Sequence, residues 1–193
     1  MDSWTQERIT QWDSESFDEE DGGVSRLVSS GFSGAIDLAG TFLLVYNGTV
    51  LTHDGQAAPD LSQGGTVYRA PTPGLPLLFS MQESATQLER GYTEEESYAS
   101  VHDRLSADNF SGYLLLSEYV MSGDYYVVYH GGEAFPIAFI GSHERLHTGD
   151  DALEKAIDEV GIYHVYEADV DIASSIDHVG VEQPTGESVT PTD

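Results

Sequence analysis

The chain has 193 residues, with 34 acidic side chains against seven basic ones, a single lysine at Lys155, no cysteine and a formal net charge of −27. That balance leaves no basic face for the phosphates of duplex DNA, and the lack of cysteine excludes disulfide frameworks and thiolate zinc sites. Hydrophobic residues at 39% and aromatic residues at 10% are too many for a disordered acidic chain, so a packed core is expected.

The charge also names a solvent. In dilute buffer of about 0.01 M salt the Debye length is about 30 Å and self-repulsion opposes compaction, whereas near 1 M it falls to about 3 Å. A cytosolic protein of a halophile is therefore expected. The opening Met1-Asp2-Ser3-Trp4-Thr5-Gln6 is polar and has no basic segment followed by an apolar run, so it does not read as a signal peptide. No apolar stretch approaches the roughly 20 residues needed to span a bilayer, so a soluble chain without membrane insertion is expected.

In chain order, the first element is an N-terminal helix carrying Trp4, Ile9 and Trp12. An internal repeat then organises the chain. Arg26-Leu27 and Phe32-Ser33-Gly34 recur as Arg104-Leu105 and Phe110-Ser111-Gly112, and Val45-Tyr46-Asn47-Gly48 is echoed by Val128-Tyr129-His130-Gly131. The second spacing is longer, which fits an insertion near Val120-Met121-Ser122-Gly123-Asp124. Each half reads as a helix that ends at Gly31 or Asn109, residue types that tolerate a left-handed cap. An extended segment follows, Ala35 to Leu38 or Tyr113 to Leu116, then a strand apolar on both faces, Phe42 to Tyr46 or Tyr125 to Tyr129.

Asn47-Gly48 suits a type I′ hairpin leading into Thr49 to His53, and His130-Gly131-Gly132 leads into Pro136 to Ile140. The first half continues through a proline-rich loop, Ala70 to Gly74, and a short helix opened by Pro76, to an extended stretch Ala85 to Tyr92. The second continues through an amphipathic helix, with Asp150 and Asp151 in its first turn and Ala152, Leu153, Ala156, Ile157 and Val160 on one face, to a strand over Ile162 to Val170. The expected fold class is α+β, with two similar halves at about 24–92 and 102–172 around an antiparallel or mixed β-sheet with flanking helices. Residues 1–172 form a single domain in this reading, and 173–193 a disordered acidic tail.

Phe110-Ser111-Gly112-Tyr113, Ser122-Gly123-Asp124-Tyr125-Tyr126-Val127-Val128-Tyr129, Gly131-Gly132 and Thr148-Gly149-Asp150-Asp151-Ala152 together resemble the N-terminal domain of an uncharacterised haloarchaeal family, over about residues 1–172. More distantly, the order of a Phe-x-Gly strand, a glycine hairpin, a helix and a final strand is similar to the PATAN-type domains of prokaryotic signalling proteins. That resemblance implies a protein-interaction module without catalytic residues.

His143-Glu144-Arg145-Leu146-His147 matches H-E-x-x-H, in which two histidines one helical turn apart bind zinc and the glutamate activates water; Glu159 or Glu167 would be the third ligand. Gly141-Ser142 before it and Thr148-Gly149 after it leave too little room for the helix the motif needs. A connecting loop is the expectation, and His143 and His147 are rejected as metal ligands. His53, His102, His130, His164 and His178 show no ligand spacing. Phe32, Gly34, Phe110 and Gly112 read as aromatic core anchors, each followed by a backbone position where bulk is excluded. Asp18-Glu19-Glu20-Asp21 and Glu94-Glu95-Glu96 lack the spacing of a calcium loop.

Eleven tyrosines are the surplus that bears on binding. Tyr113, Tyr126 and Tyr166 form a docking face if they point outward, or core packing if they do not, and periodicity leaves both readings open. The function expected is a non-enzymatic interaction or regulatory module without cofactor. Its partner is another protein, a longer relative with the same domain, or a second copy in a homodimer. The alternatives are a small-molecule sensor holding its ligand between the halves and, third, a zinc metallopeptidase.

Overall fold

The computed structural model describes residues 1–18, 23–51 and 64–170. Its elements are α1 (Ser3–Ile9), β1 (Asp13–Phe17), α2 (Gly23–Ser29), β2 (Gly34–Leu38), β3 (Thr41–Tyr46), β4 (Thr49–Leu51), β5 (Gly65–Arg69), α3 (Gly74–Met81) and β6 (Thr86–Tyr92). They continue with α4 (Tyr98–Ala107), β7 (Gly112–Glu118), β8 (Gly123–His130), β9 (Glu133–Ile140), β10 (Arg145–Thr148), α5 (Gly149–Ile157) and β11 (Ile162–Glu167). The expected tail and the far end of the strand toward His53 lie outside the described residues, as do Glu19, Glu20 and Asp21 of the first acidic run.

The architecture is α+β, with two sheets where the sequence reading had one. Their orders are β1-β5-β2-β3-β4 and β10-β9-β8-β7-β11-β6, and every pairing is antiparallel. The physical reason lies in α3, where Leu75, Pro76, Leu77, Leu78, Phe79 and Met81 are all buried. A helix that is apolar all round needs apolar cover on every side. It finds this by touching β2 and β3 of the first sheet and β7, β8 and β9 of the second. Burial of each large side chain contributes about 1.5–3 kcal/mol. Pro76 falls in the first turn, where its missing N–H breaks no helical bond.

Helix α1 shares this middle layer. Trp12 stacks on Phe79 at 6.0 Å, and Trp4 meets the edges of Phe79 and Phe139. The outer face of the first sheet packs against α2 through Val24, Phe32, Ile36, Leu38, Val45 and Val67. The outer face of the second packs against α4 and α5 through Val101, Leu105, Ala152 and Ala156. Both faces of β8 are therefore covered. Tyr125, Val127 and Tyr129 enter the outer cluster while Tyr126 and Val128 enter the central one, which accounts for the unbroken apolar run.

The local signals act as expected at the turns. Helices α2 and α4 are followed by Gly31 (φ 70°) and Asn109 (φ 52°), and the amides of Phe32 and Phe110 reach back to the carbonyls of Leu27 and Leu105. Asn47 (φ 45°) and Gly48 (φ 74°) join β3 to β4, and Gly131 (φ 60°) and Gly132 (φ 82°) join β8 to β9, each pair in the positive-φ conformation of a type I′ turn. Two registers differ from the sequence reading. Gly34 stands opposite Val45 and Gly112 opposite Tyr129, whereas the sequence reading set Val45 beside Val128. Strand β6, read as closing the first half, pairs with β11 in the second sheet. No helix among the described residues is long and apolar enough to cross a membrane.

Candidate functional site

The H-E-x-x-H run is not helical. Residues 141–144 form a turn in which the Glu144 amide donates to the Gly141 carbonyl, and Arg145–Thr148 is strand β10, paired with β9. A strand does not place residues four apart one above the other as a helix does. His143 Nδ1 lies 3.2 Å from Ser142 Oγ, His147 Nδ1 lies 2.5 Å from Asp151 Oδ2, and Glu144 pairs with Arg8. Among the described residues no group of three or more His, Asp or Glu side chains is placed to hold a metal ion. His102, half-buried, meets the Tyr129 hydroxyl at 2.9 Å, and burial holds its pKa below the ordinary value. His130 packs edge-on against Tyr46, and His164 lies 3.1 Å from Glu118. His53 and His178 lie outside the described residues.

Tyr113 and Tyr126 do not point outward, which corrects the docking-face reading. They are 6% and 7% exposed on the inner face of the second sheet, where α1 and α3 cover them. Tyr166, partly buried, stacks on Tyr113 at 4.8 Å. Burial, followed by the neighbouring Tyr166, pushes the Tyr113 hydroxyl up to about 12. The space between the two sheets, where a sensor would hold its ligand, is filled by the same helices.

A charged cluster fastens α1 to the second sheet. The Arg8 guanidinium carbon sits 4.1 Å from the Trp4 ring centre and 3.9 Å from that of Phe139, and the group pairs with Glu144. Desolvation lowers the pKa of Arg8, opposed by the charges of Glu144, Tyr126 and Asp124. The cation is sandwiched and paired, so this cluster is a fastening rather than an open site.

The exposed apolar side chains define another place. Of six large hydrophobic residues exposed among the described residues, Tyr92, Tyr119, Met121, Ile157 and Val160 belong to one end of the second sheet; the sixth is Leu88 on β6. Tyr92 stands opposite Ile162, which stands opposite Glu118, the residue before Tyr119. The Thr93 amide donates to the Gly161 carbonyl at 3.0 Å, and a Cβ added to Gly161 would lie 2.6 Å from Val120. Ser122 Oγ donates to Glu159 Oε1 at 2.5 Å, and the Tyr125 hydroxyl lies 3.1 Å from the same oxygen. These ties bring the end of β6, the β7–β8 connection and the residues after α5 together. Tyr119 is 79% exposed and Met121 wholly so.

Sequence reasoning missed this surface, because Tyr119 and Met121 lie near turns and carry no periodicity, while Ile157 and Val160, read onto the apolar face of α5, are exposed past its buried Ala152 and Ala156. The signal nearest to it is the run Val120-Met121-Ser122-Gly123-Asp124, which the sequence reading took as an insertion. A comparison with protein-family models, with curated proteins and with solved structures finds no match.

Proposed function

We propose that the protein is a non-enzymatic interaction module of a halophile, built from two copies of one α+β unit, which docks another protein through the apolar end of its second sheet. The observation that carries this reading is the gathering of Tyr92, Tyr119, Met121, Ile157 and Val160 at one end of that sheet. Single exposed apolar residues are ordinary, whereas contiguous ones mark interaction surfaces. Tyrosine and methionine are also enriched at such interfaces.

The duplicated unit is supported by paired details. Among the described residues, sheet orders β1-β5-β2-β3-β4 and β6-β11-β7-β8-β9 correspond strand for strand. The Ala70 amide donates to the Ser33 carbonyl at 3.1 Å, as the Ala168 amide does to Ser111 at 3.3 Å. Tyr46 and His130 hold corresponding positions and touch each other at 5.3 Å, as residues beside a twofold axis do. The kinship with the haloarchaeal family and the PATAN-type interaction domains belongs to the same proposal. It is supported by the residue pattern of Phe110 to Val170.

The test compares the tagged chain with its Tyr119→Asp, Met121→Asp double variant, purified in multimolar salt from the same cytosol, with thermal midpoints measured on both. A stoichiometric partner retained by the parent and lost by an equally stable variant is the expected result. The same proteins on both would remove this end of the sheet as the docking surface. Concentration-dependent dimers of the parent alone, seen by light scattering, would make the partner a second copy.

A further inference from the structure

Only seven basic side chains serve this chain, six of them arginine. Arg8, Arg90, Arg104 and Lys155 each carry an ion pair to a carboxylate. The other three show no ion pair among the described residues, although acids outnumber bases almost fivefold: Arg145 on the edge strand β10, and the pair Arg26 and Arg69. Both line one cleft of about 380 Å³ between α2 and strands β1 and β5, on the outer face of the first sheet.

The cleft follows from the local geometry. Arg26 and Leu27 of α2 and Ser30, the residue after its end, line one side of the cleft, while Glu15 stands opposite Val67 in the β1–β5 ladder. Val67 is buried, and Phe17 and Leu27 are partly buried, so the deeper lining is apolar. Arg26, Arg69, Glu15, Ser16 and Ser30 are exposed, so the mouth is polar.

The corresponding place in the second sheet is closed. Val165 stands opposite Glu89 as Val67 stands opposite Glu15. There the buried Tyr163 has its hydroxyl 3.0 Å from Glu89 and 3.2 Å from Glu96, and Arg104 pairs with both carboxylates. Gly65 precedes Val67 where Tyr163 precedes Val165, and Arg69 follows where Glu167 follows. The first sheet therefore lacks the ring that fills the second and carries a base in place of an acid. This comparison rests on the duplicated-unit reading, whereas the cleft and its two arginines do not.

We infer that this cleft binds a small phosphate monoester. Two guanidinium groups at one mouth match the roughly −1.5 to −2 charge of a phosphate monoester at neutral pH, and their planar donors fit its oxygens in pairs. A volume of about 380 Å³ lies in the usual range for small-molecule sites, and the apolar lining suits a ring or chain beyond the phosphate. Glu15 then accepts from a hydroxyl or amino group on that body.

The test is calorimetric titration of the full chain in multimolar salt with adenosine monophosphate, ribose 5-phosphate, adenosine and citrate. At least one phosphate monoester is expected to bind. Arg26→Gln and Arg69→Gln, both exposed, should each weaken binding by about tenfold or more without moving the thermal midpoint of the free chain. Met121→Asp should leave the affinity unchanged, which separates this site from the docking surface. Failure of both phosphates to bind, equal response to citrate, or binding indifferent to both arginine substitutions would overturn the assignment.

Discussion

An alanine at Gly112 would bring its Cβ to 2.0 Å from the Tyr166 carbonyl oxygen and 2.9 Å from the Phe110 ring, at a φ of 144°. At Gly34 the new carbon would lie 2.1 Å from the Tyr68 carbonyl oxygen and 2.6 Å from the Phe32 ring. A ladder carbonyl cannot move aside without opening the sheet, so Gly34→Ala and Gly112→Ala should each cost about 2–4 kcal/mol. Gly131→Ala meets nothing within 4 Å and should cost only the left-handed penalty, about 1–2 kcal/mol. Denaturant titration of the three variants checks the order, and equal midpoints would remove close approach as the cause of the repeated Phe-Ser-Gly. Asp124 gives a second prediction. Its burial, reinforced by the charge of Glu144 and opposed by Arg8, raises its pKa above the ordinary 3.8. The folded chain then holds this proton more tightly than the unfolded one. Its contribution is fully present below the unfolded pKa and is lost as pH rises through the folded one. Asp124→Asn should therefore be more stable than the parent at neutral pH, with the gap narrowing under acid conditions. Thermal midpoints of both proteins along a pH series measure it, and a gap that widens toward acid would reverse the sign.

Helix α1 has only seven residues, too few to persist alone, so it depends on its cap and on what it buries. Asp2 Oδ1 accepts from the Thr5 amide at 2.7 Å, and that bond holds its carboxyl below the ordinary range. Asp2→Ala should cost about 1 kcal/mol at neutral pH, and the loss should fade as acid protonates Asp2 in the parent. Guanidinium unfolding at two pH values tests both parts. Among the elements, those with a strong local code were legible in the sequence. Asn47-Gly48 announces its hairpin, and α5 shows acids in its first turn with Ala152 and Ala156 on its buried side. Strand β1, Asp-Ser-Glu-Ser-Phe, was not legible, because it is an edge strand with four exposed residues and no alternation to detect. Strand β10 is four residues long, also on an edge, and hidden inside a motif that reads as helix. Tyr113 and Tyr126 were ambiguous for a related reason. Alternation assigns a side chain to one face of a sheet, but both faces of the second sheet are covered by helices, so neither reads as outward.

At the scale of the molecule, alternation also says nothing about how many sheets share a core. Here the central cluster joins Ala35, Leu44 and Leu51 of the first sheet to Tyr113, Val128, Ile137 and Phe139 of the second through α1 and α3. If the first sheet separated, its inner face would lose its cover, and α3 would expose one side of a helix that is apolar all round. Neither half can therefore melt without opening the other, and the chain should unfold in one cooperative step. Opposing this is a charge of −27, whose repulsion acts across the whole molecule when the Debye length is about 30 Å and only between neighbours when it is about 3 Å. Added potassium chloride should therefore raise the thermal midpoint steeply up to about 1 M, and more gradually beyond. Differential scanning calorimetry across that range reads both quantities. A calorimetric enthalpy equal to the van't Hoff enthalpy at high salt is the expected result. Two resolved transitions would mean that α1 and α3 hold the sheets side by side without coupling them.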